Sequence, residues 1–200
     1  LSRVMNMTLV GFSYVAALYF FSRLLRLFVP DPLTRGLLLF SLAFCTQFWG
    51  YSTHMNNHIP CAAMIVIALY FGLGLAMGKL GTRPWRFVAF GFCAGLVPTL
   101  DMPGTIFVLP VGLYLLFRRP KMTLMYATLG AALPLLVHCG IMYHVTGDIR
   151  PVQMREELYL YEGSYWRNPR GIDALNEPRL VYLFHMLVGR CGLFSLYPIL

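Results

Sequence analysis

A stretch without one charged side chain runs from Gly36 to Gly78 and restricts the fold more than any other feature. A helix needs about 20 apolar residues to cross the ~30 Å hydrocarbon core of a bilayer, so this stretch is too long for one crossing. The polar run Tyr-Ser-Thr-His-Met-Asn-Asn-His-Ile-Pro, residues 51–60, interrupts it. The pattern predicts two membrane spans, near 33–51 and 60–78.

The composition of the whole chain supports a membrane protein. Apolar residues make up 58% of the sequence and charged residues 12%, against about 45–50% and about 25% in soluble domains. So few charges cannot cover a soluble surface, and so apolar a chain does not stay disordered. We therefore predict an all-α integral membrane protein, a helical bundle of about six or seven membrane segments.

Further apolar stretches give the remaining spans. We predict one transmembrane domain over residues 1–200, with an external segment at 148–190. Because the chain opens on Leu1 and closes on what resembles the start of another helix, we expect an internal piece of a longer protein. The other spans are predicted near 5–27, 87–100 paired with 103–117, 122–146, and 192–200 onward.

Basic residues cluster in three of the connections between these spans and indicate the orientation. The positive-inside rule places such connections in the cytoplasm, so residues 51–60, the turn at Asp101 and residues 148–190 fall on the opposite, external side. The net charge of +8 is then a signal of topology, and no nucleic acid is needed to explain it. The basic residues are Arg23, Arg26 and Arg35, then Lys79, Arg83 and Arg86, then Arg118, Arg119 and Lys121.

The first candidate site lies in the polar run at the external end of two spans. His54, Asn56, Asn57 and His58 supply imidazoles and amides that can hydrogen-bond the hydroxyls of a sugar or the oxygens of a phosphate. His54 and His58 would share a face if the segment were helical. Metal binding by this pair is a further interpretation, but two imidazoles are an incomplete ligand set, so a divalent metal is unsupported. We predict no cofactor. The alternative is a polar loop in which Asn57 or His58 caps the next helix.

The second candidate is Asp101, which separates two short apolar helices. Pro98, Pro103 and Gly104 disfavour a continuous helix here. Membrane proteins use such broken helix pairs to place a charge beside a buried polar cavity. Asp101 is therefore either part of a substrate site or a cap of the second half-helix, or both.

The third candidate lies in the predicted external segment, at Tyr165, Trp166 and Arg167. Aromatic rings stack on sugars, and the arginine fork binds phosphate with two hydrogen bonds. The same residue types also anchor proteins at the membrane interface, which is an alternative interpretation of this segment.

Several of these runs resemble a known group of membrane enzymes. The two Leu- and Gly-rich half-helices of Gly91–Leu116 are similar to a stretch of GT-C-type glycosyltransferases. That group includes protein O-mannosyltransferases and the transferases that attach aminoarabinose to lipid A. Bacterial membrane proteins of this broad class resemble the chain at Asn-Asn-His-Ile-Pro, residues 56–60, at Tyr-Trp-Arg-Asn-Pro-Arg-Gly-Ile-Asp, residues 165–173, at Phe184 and His185, and at Gly-Leu-Phe-Ser-Leu-Tyr-Pro, residues 192–198.

The resemblance implies a GT-C-like fold in a bacterial inner membrane, with residues 51–60 and 148–190 in the periplasm. It implies a polyprenyl-phosphate-linked sugar as donor and an inverting transfer at the membrane surface. Such enzymes place a catalytic acid in their first external loop. That acid either lies upstream of Leu1 or is lacking here, so no catalytic residue is assigned, and His58 and Asp101 are candidates for lining the cavity only.

Two other functions stay open on the sequence. A transporter or flippase would use the broken helix at Asp101 as a substrate or proton site midway through the membrane. A non-catalytic membrane protein would use none of these residues for chemistry. Asp101 at the external mouth beside Asn57 and Tyr165 would favour the enzyme, whereas Asp101 buried midway would favour transport.

Overall fold

The computed structural model describes residues 2–151, 155–170, 174, 176–189 and 192–196. Within them the chain is helical and has no β-strand. The chain divides into two compact units, Leu1–Gly140 and Ile141–Leu200. The helices are α1 (Arg3–Phe28), α2 (Pro32–Phe44), α3 (Gln47–Ser52), α4 (His58–Ala76), α5 (Pro84–Leu100), α6 (Thr105–Arg118), α7 (Pro120–Thr146), α8 (Glu156–Tyr159), α9 (Arg179–Leu187) and α10 (Leu193–Leu196).

Helix α4 is the central helix of the first unit. It is apolar on all sides, which is typical of a helix that is buried in a protein core or crosses a membrane. Helices α1, α5 and α6 pack against it and bury Tyr70, Phe71 and Leu75 together with Phe87 and Leu115. These contacts form the core of the unit and fix where each end of α4 lies.

Helices α5 and α7 approach each other closely because two glycines lie at their crossing. A Cβ atom at Gly91 would overlap the backbone of Ala127, and a Cβ atom at Gly130 would overlap the backbone of Val88. Small residues allow helix backbones to touch in this way, which is common between membrane helices.

The predicted break at Asp101 is present in the structure. Helix α5 ends at Leu100, Asp101 is extended at φ −155° and ψ 106°, and a 3₁₀ turn at Met102–Gly104 leads into α6. The segment predicted as one span near 33–51 is divided as well. Helix α2 ends at Phe44, and Thr46 is extended and caps α3 by accepting a hydrogen bond from the Phe48 amide.

Among the residues that the structure describes, three helices are long and apolar enough to cross a membrane, namely α1, α4 and α7. Of these, α1 and α7 leave large apolar side chains uncovered along their length, such as Phe12 and Val15 in α1 and Leu129 and Leu136 in α7. Three further apolar helices are shorter: Pro32–Phe44, Pro84–Leu100 and Met102–Arg118. Soluble monomers rarely expose so much contiguous apolar surface.

The three basic connections predicted from the sequence meet at one end of the first unit, where α4 ends. The ammonium of Lys79 donates a hydrogen bond to the carbonyl of Leu27 and lies 4.6 Å from the centre of the Phe28 ring. The Arg118 guanidinium donates to the carbonyl of Ala76 at 3.5 Å. The connections after α1, α4 and α6 therefore lie side by side.

The second unit consists of the end of α7, the short helices α8, α9 and α10, and the loops between them. Its helix α9 carries apolar side chains that are exposed, among them Leu180, Leu183 and Phe184. For the span predicted from residue 192 onward, the structure describes only the single helical turn of α10.

Candidate functional site

The side chains of His58 and Asp101 form a pair at the end of the first unit opposite the basic connections. His58 Nδ1 lies 2.9 Å from Asp101 Oδ2, and the two side chains are 51% and 30% exposed. His58 is the first residue of α4 and Asp101 follows the last residue of α5. The break in the helix therefore places a carboxylate against an imidazole, at the end of the bundle.

Neighbouring contacts hold the two helix ends together. The side-chain amide of Asn57 donates to the carbonyl of Leu100 at 2.6 Å. One turn into α4, the thiol of Cys61 lies 3.9 Å from the carbonyl of Val97. These bonds fix the start of α4 beside the end of α5, and the position of His58 relative to Asp101 follows from them.

The polar loop does cap α4, but the capping side chain is that of Asn56 and not that of Asn57 or His58. The N-cap of α4 is Asn57, whose side chain makes no capping bond; instead, Asn56 Oδ1 accepts a hydrogen bond from the backbone amide of Ile59 at 3.0 Å. Asp101 makes no side-chain capping bond to the helical turn that follows it. Its Oδ2 atom contacts His58 Nδ1 instead. The interpretation of Asp101 as a cap of the second half-helix is therefore wrong.

His54 lies in the loop before α4 and not on a helical face shared with His58, because residues 53–57 are outside any helix. Its Nδ1 atom lies 2.8 Å from the hydroxyl of Thr53. The amide of Asn56 donates to the carbonyls of Tyr51 and His54, at 2.6 Å each. This network gives the loop a fixed shape although it has no regular secondary structure.

An open cleft of about 470 Å³ lies on this loop. Three of the four residues of the polar run that were predicted to bind substrate line this cleft, namely His54, Asn56 and His58. The ring of Tyr51 stands edge-on to the ring of His58, with 5.3 Å between their centres. Asp101 lies behind His58 and is not part of the lining. The lining residues are Gln47, Gly50, Tyr51, His54, Met55, Asn56 and His58.

Asn6 also belongs to this end of the unit, and our sequence reasoning missed it. Its side-chain amide donates to the carbonyl of Thr53 at 3.2 Å, and its Oδ1 atom is buried without a partner in the described structure. It begins a π-helical turn, Asn6–Gly11, and such turns are frequent at functional sites. An amide within an otherwise apolar predicted span was the available signal.

Tyr165, Trp166 and Arg167 lie in the second unit, in a 3₁₀ turn. The rings of Tyr165 and Trp166 are edge-on to each other at 5.3 Å, and both are close to half exposed. Arg167 Nε donates to the carbonyl of Leu160 at 2.7 Å, so that nitrogen is already used. Asp173, in the motif that continues this run, lies outside the described residues.

Two other arginines of the second unit are paired with acids. Hydrogen bonds from the guanidinium and backbone amide of Arg150 lower the pKa of Asp148 to about 2. The pKa of Glu157 is also lowered, first by its own backbone amide and then by the guanidinium of Arg155, 2.9 Å away. Each of these arginines therefore has a carboxylate partner within its own segment.

The polar groups that line the cleft can form hydrogen bonds with a small molecule. Among the residues that the structure describes, no group of three or more His, Cys, Asp or Glu side chains could hold a metal ion. His58 can accept or transfer a proton while Asp101 fixes its orientation, which is the arrangement found in many acid–base sites. The surrounding loop can orient a small polar molecule beside the imidazole.

Comparison with known proteins adds no relative: no family model, no curated protein and no solved structure matches this chain.

Proposed function

We propose that the chain is an integral membrane protein whose cleft opens on the non-cytoplasmic side. Three apolar helices of sufficient length and the large exposed side chains of α1 and α7 support a membrane location. The clustering of the basic connections at the end opposite His58 and Asp101 supports the orientation. In a bacterial inner membrane the cleft would then open to the periplasm, as residues 148–190 do in the topology predicted from the sequence.

In this location the protein acts as a glycosyltransferase-like enzyme that uses a sugar on a polyprenyl phosphate. The observation that carries this proposal is the pairing of His58 with Asp101 beside the polar cleft. The resemblance of the sequence to GT-C-type transferases supplies the substrate class. The resemblance implies a catalytic acid in an external loop, and no residue of this chain is assigned to it. The pair of His58 and Asp101 would supply a base in its place.

The geometry supports a simple division of roles. A hydroxyl of the acceptor gives its proton to His58 Nε2 while its oxygen attacks the anomeric carbon of the donor sugar. The bond from that carbon to the phosphate oxygen breaks, and polyprenyl phosphate leaves with the electron pair. Asp101 does not touch the substrate; it positions the imidazole and stabilises the positive charge formed on it.

Transport is the second candidate, because Asp101 interrupts two apolar helices. A transporter site of that kind lies midway through the membrane. Here the carboxylate follows the last residue of α5 and contacts the first residue of α4, at the end of the bundle. This position favours an enzyme at the membrane surface.

Reconstituted protein tests the proposal. Liposomes holding the full chain and a radiolabelled hexose on polyprenyl phosphate, with a panel of methyl glycosides as acceptors, should release polyprenyl phosphate. His58→Gln should lower the release rate about 100-fold or more, because a positioned general base contributes about 10²–10⁴-fold. His144→Gln is a matched control and should leave the rate unchanged, since His144 is exposed and does not line the cleft.

Two results would overturn the proposal. One is a correctly inserted His58→Gln protein that releases polyprenyl phosphate at the wild-type rate. The other is wild-type protein that releases none with any acceptor of the panel; in that case, solute uptake driven by a proton gradient in the same liposomes would point to the transporter.

A further inference from the structure

The proton positions on the two imidazoles of the cleft can be assigned from their partners, beginning with His58. An ionised carboxylate only accepts hydrogen bonds, so His58 Nδ1, 2.9 Å from Asp101 Oδ2, carries the proton. In a neutral imidazole the other nitrogen, Nε2, is then a bare acceptor. It has no hydrogen-bond partner within the described part of the chain.

The position of the proton on His54 depends on its contacts with Thr53 and Gly50. The Thr53 hydroxyl lies 2.9 Å from the carbonyl of Gly50 and 2.8 Å from His54 Nδ1. When it donates its single proton to the carbonyl, it accepts a hydrogen bond from Nδ1. The carbonyl of Gly50, 3.4 Å from the same nitrogen, is also an acceptor. In this arrangement His54 carries its proton on Nδ1 and presents an unprotonated Nε2, as His58 does.

The rest of the lining adds no positive charge. Both hydrogens of the Asn56 amide are used by the carbonyls of Tyr51 and His54. The lining contains no Lys or Arg. The side-chain amide of Gln47 and the hydroxyl of Tyr51 also line the cleft, and both are uncharged. Binding of a phosphate normally requires cations or several N–H donors, and the lining has no cationic side chain.

We propose that the cleft binds the hydroxyl groups of a neutral, sugar-like molecule, which donates hydrogen bonds to Nε2 of His54 and His58, and that it excludes phosphate. The inference rests on the proposed function and deepens it. The hydroxyl bound at His58 is the one that reacts, and His54 selects acceptors with a second hydroxyl. The phosphate of the donor is then held outside this cleft.

Nitrogen NMR of the full chain in lipid nanodiscs tests the assignment directly. With ¹⁵N-labelled histidine and both imidazoles in the neutral form, His54 and His58 should each show an unprotonated Nε2. Methyl hexopyranosides should shift these two Nε2 signals, and inorganic phosphate should not. His54→Phe should weaken glycoside binding about 5- to 10-fold, the loss of one hydrogen bond.

The matched control is His144→Phe, which removes an exposed imidazole from the second unit and should leave glycoside binding unchanged. Protonated Nε2 on either His54 or His58, or equal shifts with phosphate and with glycosides, would overturn the inference. Its failure is distinct from failure of the proposed function. If glycosides bind and shift both Nε2 signals but no polyprenyl phosphate is released, the transferase proposal is wrong and the inference about the cleft still holds.

Discussion

His58 Nδ1 and Asp101 Oδ2 lie 2.9 Å apart although 43 positions of the chain separate the two residues. The contact exists because α4 begins where α5 ends, and because the amide of Asn57 ties that corner to the carbonyl of Leu100. An imidazole and a carboxylate are thus brought together by helix packing rather than by a local motif.

The first prediction concerns the close crossing of α5 and α7. Gly91→Ala should lower the free energy of unfolding by about 1–3 kcal/mol, since the added methyl group overlaps backbone that cannot move independently. Gly36→Ala is the matched control: Gly36 is helical and has open space around it, so this change should stabilise by about 0.4–1 kcal/mol. Unfolding in mixed micelles, followed by circular dichroism, measures both, and equal effects would contradict the crossing.

The second prediction concerns Asp148, beyond the end of α7. Its pKa of about 2 in the folded protein is below its ordinary value of 3.8. The pairing with Arg150 therefore stabilises the folded segment at pH above about 4, and this contribution is lost as the pH falls towards 2. Carboxyl ¹³C NMR should give a midpoint near 2 that rises towards 3.8 in Arg150→Gln. Arg170→Gln is the control and should leave the midpoint unchanged. If Arg150→Gln also leaves the midpoint unchanged, the guanidinium of Arg150 is not what lowers the pKa of Asp148.

The third prediction concerns orientation in the membrane. Single cysteines placed at Met55 and at Arg83, in a background without the natural cysteines, sit on opposite ends of α4 and are both exposed. An impermeant thiol reagent added to intact cells should label position 55 and leave position 83 unlabelled until the membrane is opened. The reverse pattern would overturn the proposed sidedness.

Much of the helical framework follows from the sequence because its cause is local. Charge-free stretches predict where α1, α4 and α7 run, and Pro103 and Gly104 predict the break after α5. The division of residues 33–51 at Thr46 was not predicted. A threonine that caps the following turn gives a weak signal within an apolar stretch.

The site could be predicted only in part. Its residue types were visible, because polar side chains are rare in so apolar a chain. Which of them meet could not be predicted: the contact of His58 with Asp101 and that of Asn6 with Thr53 both depend on how helices pack. Asn56 caps α4, and Asn57 donates a hydrogen bond to the carbonyl of Leu100. Which of two neighbouring asparagines takes which role depends on the backbone geometry, and the sequence does not show it.

The most direct test of the account is a double-mutant cycle on His58 and Asp101, read as the rate of polyprenyl phosphate release. If Asp101 acts only through the imidazole, the His58→Gln, Asp101→Asn double variant should be as slow as His58→Gln alone, within about 2-fold. Asp101→Asn alone should be slower than wild type. A double variant slowed by the product of the two single effects would show that the residues act independently and would contradict the account.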